Sequence, residues 1–233
     1  MIKNKRLAFC FGLMVSMSFG FDTQAQFTGK NYDIEGFTKT VDIKVVNNHS
    51  ETAGLIEIGE AFSKARGTTF FSPINRINSR ARRKLLEEAS VRGASHVWVL
   101  NRTTEGGFGR LVSYHAVFFR HPDFVIGAKK LEEFIQNGNL KPVQTLTADR
   151  NASGLKPGMI SLVFKLDPST IQVNDNRLYV DNKYLRGAEA KGYSSPFQRT
   201  FEVIGLNDEY IVLVEVLEEG KTYQARLYQK VTE

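Results

Sequence analysis

The sequence predicts an α+β fold: a strand–strand–helix–strand–strand unit, followed by an antiparallel all-β region. Three observations carry this expectation. Between Ser72 and Gly93, Ile74, Ile77, Ala81, Leu85 and Ala89 recur at three- and four-residue steps, the spacing of one helix face. Around that helix, Val41-x-Ile43-x-Val45, Leu55 to Ala65, His96 to Leu100 and Ser113 to Phe119 have strand-like alternation or apolar runs. Beyond residue 160, short strand-forming runs are separated by Asn174-Asp175-Asn176, Asn207-Asp208 and Glu218-Glu219-Gly220, which are turn residues.

Taken in order, the 233-residue chain opens with Lys3, Lys5 and Arg6, an apolar run from Leu7 to Phe21, and Thr23-Gln24-Ala25. A basic head, a short apolar middle and a small-x-Ala end describe a secretory signal peptide cleaved near Ala25. The run falls short of the ~20 apolar residues that span a bilayer comfortably. The expectation is an exported chain, periplasmic or extracellular, with no transmembrane segment in its mature form. Cys10 is the only cysteine and would leave with the signal, so no disulfide or thiol chemistry is expected afterwards. The bulky Phe9 before Cys10 argues against a lipoprotein anchor. Net charge is +6 for the whole chain, and removing Lys3, Lys5, Arg6 and Asp22 with the signal leaves +4. That mild excess, together with export, argues against a nucleic-acid partner.

The expected organisation is a signal peptide at 1–25, an α+β domain at 26–126, a short helix and connecting segment at 127–158, and an antiparallel β domain at 159–233. The last is expected as a meander, a sandwich or a small barrel. In the first domain Asn47-Asn48-His49-Ser50 is turn chemistry, and Gly59 sits where a β-bulge is expected. Ser72-Pro73 suits a helix start and Gly93 a helix stop. Lys129 to Asn137 forms the short helix. Thr147 to Gly158, small and polar, reads as a loop, and Ile160 to Phe164 starts the second region's strands.

The run Ala81-Arg82-Arg83-Lys84-Leu85-Leu86-Glu87-Glu88-Ala89, with Arg92-Gly93-Ala94-Ser95-His96-Val97 after it, resembles a pattern in two related groups. These are the YbjQ-like heavy-metal-binding domains and the stress-sensing lipoprotein of the Rcs relay with its small periplasmic relatives. Both have a helix ending in Ala-x-x-x-Gly-Ala-x-x-Val, then a strand, a loop and a closing strand. The resemblance covers about residues 40–120. It implies an α+β fold for that stretch and no functional residue. The second half resembles no family.

Motifs that carry chemistry are sparse. The sequence has no phosphate loop of the Gly-x-x-x-x-Gly-Lys type, no His-Glu-x-x-His helix and no Gly-x-Ser-x-Gly elbow. Gly106-Gly107-Phe108-Gly109 lies between two strands, without the following helix that a phosphate cradle needs, and reads as a hairpin turn. Arg76, Arg80, Arg83 and Lys84 form a basic ridge opposite the apolar stripe, either a solvated face or one that meets an anionic partner or a lipid headgroup. His96 and His115, on neighbouring strands, are the candidates for a weak metal site, although such a site needs three or four convergent ligands. No cofactor is expected. Trp98, Leu100, Val117 and Phe119 form a sheet face too apolar to stay open, to be covered by the second half or by a second subunit. The function expected is non-enzymatic binding or sensing, with an unidentified protein or envelope component as partner. The alternatives are a hydrolase with its site between the halves, and a histidine metal binder.

Overall fold

The structure is a computed structural model describing residues 27, 32–69, 71–106, 109–136, 138–152, 154–158, 165–183 and 198–231. The expected signal peptide and the strand expected at 160–164 lie outside the described residues.

Strands β1 (Lys44–Val46), β2 (Ile56–Arg66), β3 (His96–Glu105) and β4 (Leu111–Arg120) form a sheet in the order β1-β3-β4-β2. β1 runs parallel to β3, and the other pairs are antiparallel. Helix α1 (Ile74–Val91) covers one face. Its stripe of Ile77, Ala81, Leu85 and Ala89 is buried against Ile58, Ala61, Val97, Ala116 and Phe118. The bulge expected at Gly59 is present as a register break between Glu57 and Gly59, with Gly59 at φ 135°. Two local expectations are corrected. The first strand is confined to 44–46, and Val41 is exposed. Ser72 does not cap the helix: Pro73 occupies the N-cap position, and Ser72 Oγ accepts instead from the Thr69 amide at 3.1 Å.

The second half is a seven-stranded sheet. Its strands are β5 (Asn139–Asp149), β6 (Lys156–Gly158), β7 (Leu166–Asn174), β8 (Arg177–Asn182), β9 (Thr200–Leu206), β10 (Tyr210–Glu218) and β11 (Thr222–Val231). Their order is β6-β5-β11-β10-β9-β8-β7, and every pair is antiparallel. β7 to β11 make a meander: its turns and β8 to β11 fall where the sequence signals placed them, whereas β7 was not among the expected strands. Residues 139–149 correct the connecting-segment reading, because β5 pairs with β11 from Asp149↔Thr222 to Asn139↔Val231. Pro142 sits where the register breaks between Leu227 and Tyr228, a place that tolerates a missing amide. Helix α2 (Ala128–Gln136) buries Leu131, Phe134 and Ile135 on this sheet, against Val180, Phe201, Val203 and Leu213. The protein is therefore mixed α and β, mostly β, with two sheets.

The layers run sheet, helix, sheet, helix, and α1 is shared between the two sheets. Its side away from the first sheet buries Val91 with Leu146, Ile204, Val212 and Leu227 of the second. Ser90 is fully buried and donates to Thr38 O at 2.7 Å. The polar face expected opposite the stripe is thus covered along its C-terminal half. The lead-in also crosses between halves. Phe27 and Ile34 pack in the second sheet's cluster, and the Leu206 amide donates to Glu35 O at 2.9 Å. Among the described residues, no helix is long and apolar enough to cross a membrane.

Burial of α1 leaves one group in an unfavourable state. The Glu87 side chain is 2% exposed, and among the described residues its carboxylate has only the 3.6 Å contact with Arg83 and a weak approach by the Leu155 amide. Burial raises its pKa, opposed by Arg83 at 3.6 Å, the Leu155 amide and Lys84. Burial also raises the pKa of neighbouring Glu88. A carboxyl whose pKa is raised in the fold stabilises it below the unfolded-state value and loses that contribution as pH rises through the folded value. Glu87→Gln should therefore raise the melting temperature at pH 7 and leave it unchanged near pH 4. Relieving a poorly paired buried carboxylate is worth about 1 kcal/mol, or about 2–4 °C for a chain of this size. Melting curves at the two pH values check this, and equal shifts at both would contradict it.

Candidate ligand-binding cleft

Where α1 ends, the two sheets meet at a cleft of about 360 Å³. Ile58 of β2 and the helix-terminal Arg92 form one wall. Arg177 and Tyr179 of β8, Thr200 and Glu202 of β9, Val214 and Val216 of β10, Glu219 of the following turn and Tyr223 of β11 form the other. The volume lies within the usual range for a small-molecule site, and the lining mixes apolar, aromatic and charged groups as such sites do.

Local sequence sets each wall. Gly93, at φ 72°, ends α1: its amide bonds Ser90 O, and the Ala94 amide bonds Ala89 O at 2.8 Å, satisfying the last helix carbonyls. The turn throws Arg92 into the junction. Its guanidinium lies 5.1 Å from the Phe118 ring centroid and 4.5 Å from that of Tyr223, one ring from each half. Nη1 donates to Glu60 O at 2.9 Å and faces Glu88 at 3.4 Å. Behind it Arg120, 2% exposed, ends β4 and donates through Nε to Gly93 O at 2.9 Å. Its Nη2 meets Glu202 Oε1 at 3.0 Å. The other side of the Glu202 carboxylate takes a fork from Arg177, whose Nε is 3.1 Å from Oε1 and whose Nη2 bonds Oε2.

Two guanidiniums therefore share one carboxylate in a desolvated setting, leaving a net charge of +1. Burial works against the charge on Arg120, and Glu202 is its main compensation. Arg177 is 24% exposed, and no hydrogen bond to its Nη1 is present among the described residues. Burial and the Glu202 charge raise the pKa of Tyr179, so its phenol stays protonated and can donate.

Sequence reasoning gave none of these residues a functional role: Arg92 entered only as part of the resembled helix end, and Arg120, Arg177 and Glu202 lie far apart in the chain and in no motif. An arginine ending the aromatic run Phe118-Phe119-Arg120 and a glutamate inside the apolar strand TFEVIGL were the available signals.

The residues that the sequence did single out are distributed elsewhere. Val117 and Phe119 are 7% and 6% exposed, so they are covered within the chain, one of the two covers expected for this face. Trp98 is half-buried, with the His49 ring 4.7 Å away, and Leu100 is exposed. The turn residues 49–52 and the cross-strand neighbours thus do part of the work assigned to a second subunit. His96 pairs in register with Phe119, and His115 with Asn101, which corrects their grouping as a metal pair. His115 Nε2 bonds Glu60 at 2.9 Å, while His96 lies beside His121. Among the described residues, no group of three or more His, Cys, Asp or Glu converges as a metal site does.

The basic ridge divides. Lys84 Nζ donates to the carbonyls of Lys64 and Arg150, and burial lowers its pKa, so it belongs to the packing. Arg76, Arg80 and Arg83 line a larger, more open depression of about 760 Å³ at the opposite end of α1. Comparison with known protein families, with curated proteins and with solved structures finds no match for this chain.

Proposed function

We propose that the chain is an exported, non-enzymatic binding module that holds a small anionic molecule in the cleft between its two sheets. The observation carrying this reading is the Arg120–Glu202–Arg177 cluster, in which two arginines share one carboxylate and Arg177, 24% exposed, lines the cleft. Tyr179, Tyr223, Val214 and Val216 supply flat and apolar contacts around that cluster. Glu202 is committed to two arginines, which suits holding a ligand better than transferring a proton. Export rests on the Lys3-to-Ala25 segment. The resemblance of residues 40–120 to the YbjQ-like and stress-sensor domains is part of the same proposal, on the Ala89-to-Ala94 junction.

A panel of small carboxylates and phosphomonoesters should contain members that raise the melting temperature of the purified chain. Tyr179→Ala should abolish that shift. A panel that leaves the melting temperature unmoved would exclude the cleft as an anion site.

A further inference from the structure

The end of the molecule farthest from the cleft has a different character. Eighteen residues of α1 separate the two, about 27 Å at helical rise. Here β2 ends in Arg66, the β3–β4 hairpin ends in Arg110, and α1 begins with Arg76 and Arg80. The Gly67 amide bonds Arg110 O at 2.8 Å and Arg80 Nη2 bonds Arg66 O at 2.7 Å, so the four arginines are tied to one end. The depression beside them is lined by Thr68, Thr69, Phe71, Arg76, Arg80 and Arg83 among others, and among the described residues no acidic side chain contributes. No acid lies in the first turn of α1, and Glu105 at the end of β3 offsets one of these charges. From this basic rim Phe71 projects, 87% exposed, far more than any other large apolar side chain described.

The geometry points to this end as a docking surface for an anionic lipid bilayer. Two components of interfacial attachment coincide: an aromatic placed to enter the headgroup boundary, and guanidiniums placed around it to meet anionic lipid. A protein partner would be expected to meet the aromatic with an apolar surround. Phe71 is instead flanked mainly by Thr68, Thr69 and Ser72 hydroxyls and by arginines, with Pro73 beside them and Ile77 fully buried beneath, a surround that matches polar headgroups. The inference is independent of the cleft, which faces away.

Co-sedimentation of the full chain with phosphatidylglycerol–phosphatidylcholine vesicles tests it, with pure phosphatidylcholine vesicles as reference because residues 7–21 would favour any bilayer. Binding to the anionic vesicles should exceed the reference and weaken as salt is raised. Phe71→Ser should lower the affinity about tenfold or more, and Arg76→Ser about fivefold. Both are surface changes, and unchanged melting temperatures confirm intact folds. Equal binding to both vesicle types, or undiminished binding by Phe71→Ser, would overturn the proposal. Displacement by millimolar glycerol phosphate would overturn it in favour of a small-anion pocket. Stronger binding to polyglutamate than to vesicles would assign the surface to an acidic protein.

Discussion

Glu202→Ala should destabilise the protein by about 3–5 kcal/mol, the range for removing one partner of a buried ion pair. Arg120 is 2% exposed, and its other hydrogen bonds among the described residues are to the carbonyls of Gly93 and Arg92. Without Glu202 its charge would sit in the junction against Arg177, two cations with no anion between them. For a chain of this size the loss corresponds to about 10 °C or more in melting temperature. The same cluster replaced whole, as Arg120→Met with Glu202→Leu and Arg177→Met, should melt within a few degrees of the parent, because exchanging buried ions for apolar side chains is often neutral. Thermal denaturation of both variants separates the two cases. A mild effect of Glu202→Ala would mean that water reaches the cluster and the charge is not desolvated.

Gly93→Ala should be as damaging, for a steric reason. At φ 72° an L side chain is strained, at roughly 1–2 kcal/mol. The added Cβ would also lie 2.4 Å from Arg120 Nη2 and 2.8 Å from both Cβ and Cγ2 of Ile204. Ile204 is held in the middle of β9, and its Cβ cannot turn away, so the two sheets must separate at this point. A total near or above 3 kcal/mol is expected, with loss of the cleft as well as of stability. Gly220→Ala is the control, since its φ is 67° but no atom lies within 4 Å of the added carbon. If both variants lose the same amount, backbone strain alone is responsible and the close approach carries no cost.

These two residues also show what the sequence could express. Gly93 was legible as a helix stop, because glycine after an apolar-periodic run has a local meaning. Its contact with Ile204 was not, since nothing in the order of residues says that a strand 111 positions later lies against it. The same division holds through the fold. The stripe of α1, the β3–β4 hairpin, the Gly59 bulge and the meander from β8 to β11 were readable from period and turn residues. β5 was not, because Pro142 and its polar neighbours hide a strand whose partner is the last of the chain. The cleft was least legible. Its charged members match no motif, and Glu87 and Glu88 looked like solvated helix residues until the second sheet covered them.

The shared position of α1 bears on how the chain acquires its structure as it is made. The lead-in around Phe27 and Ile34, and the far side of α1 at Ser90 and Val91, are synthesised early. Their partners Ile204, Val212, Ala225 and Leu227 emerge nearly last. Until β9 to β11 exist, an N-terminal fragment can form the first sheet and the inner stripe of the helix, yet leaves a wet seam along the helix's outer side. Such pairings between distant parts of a chain close slowly. The first half is therefore a scaffold in waiting, completed only when the C-terminal strands arrive.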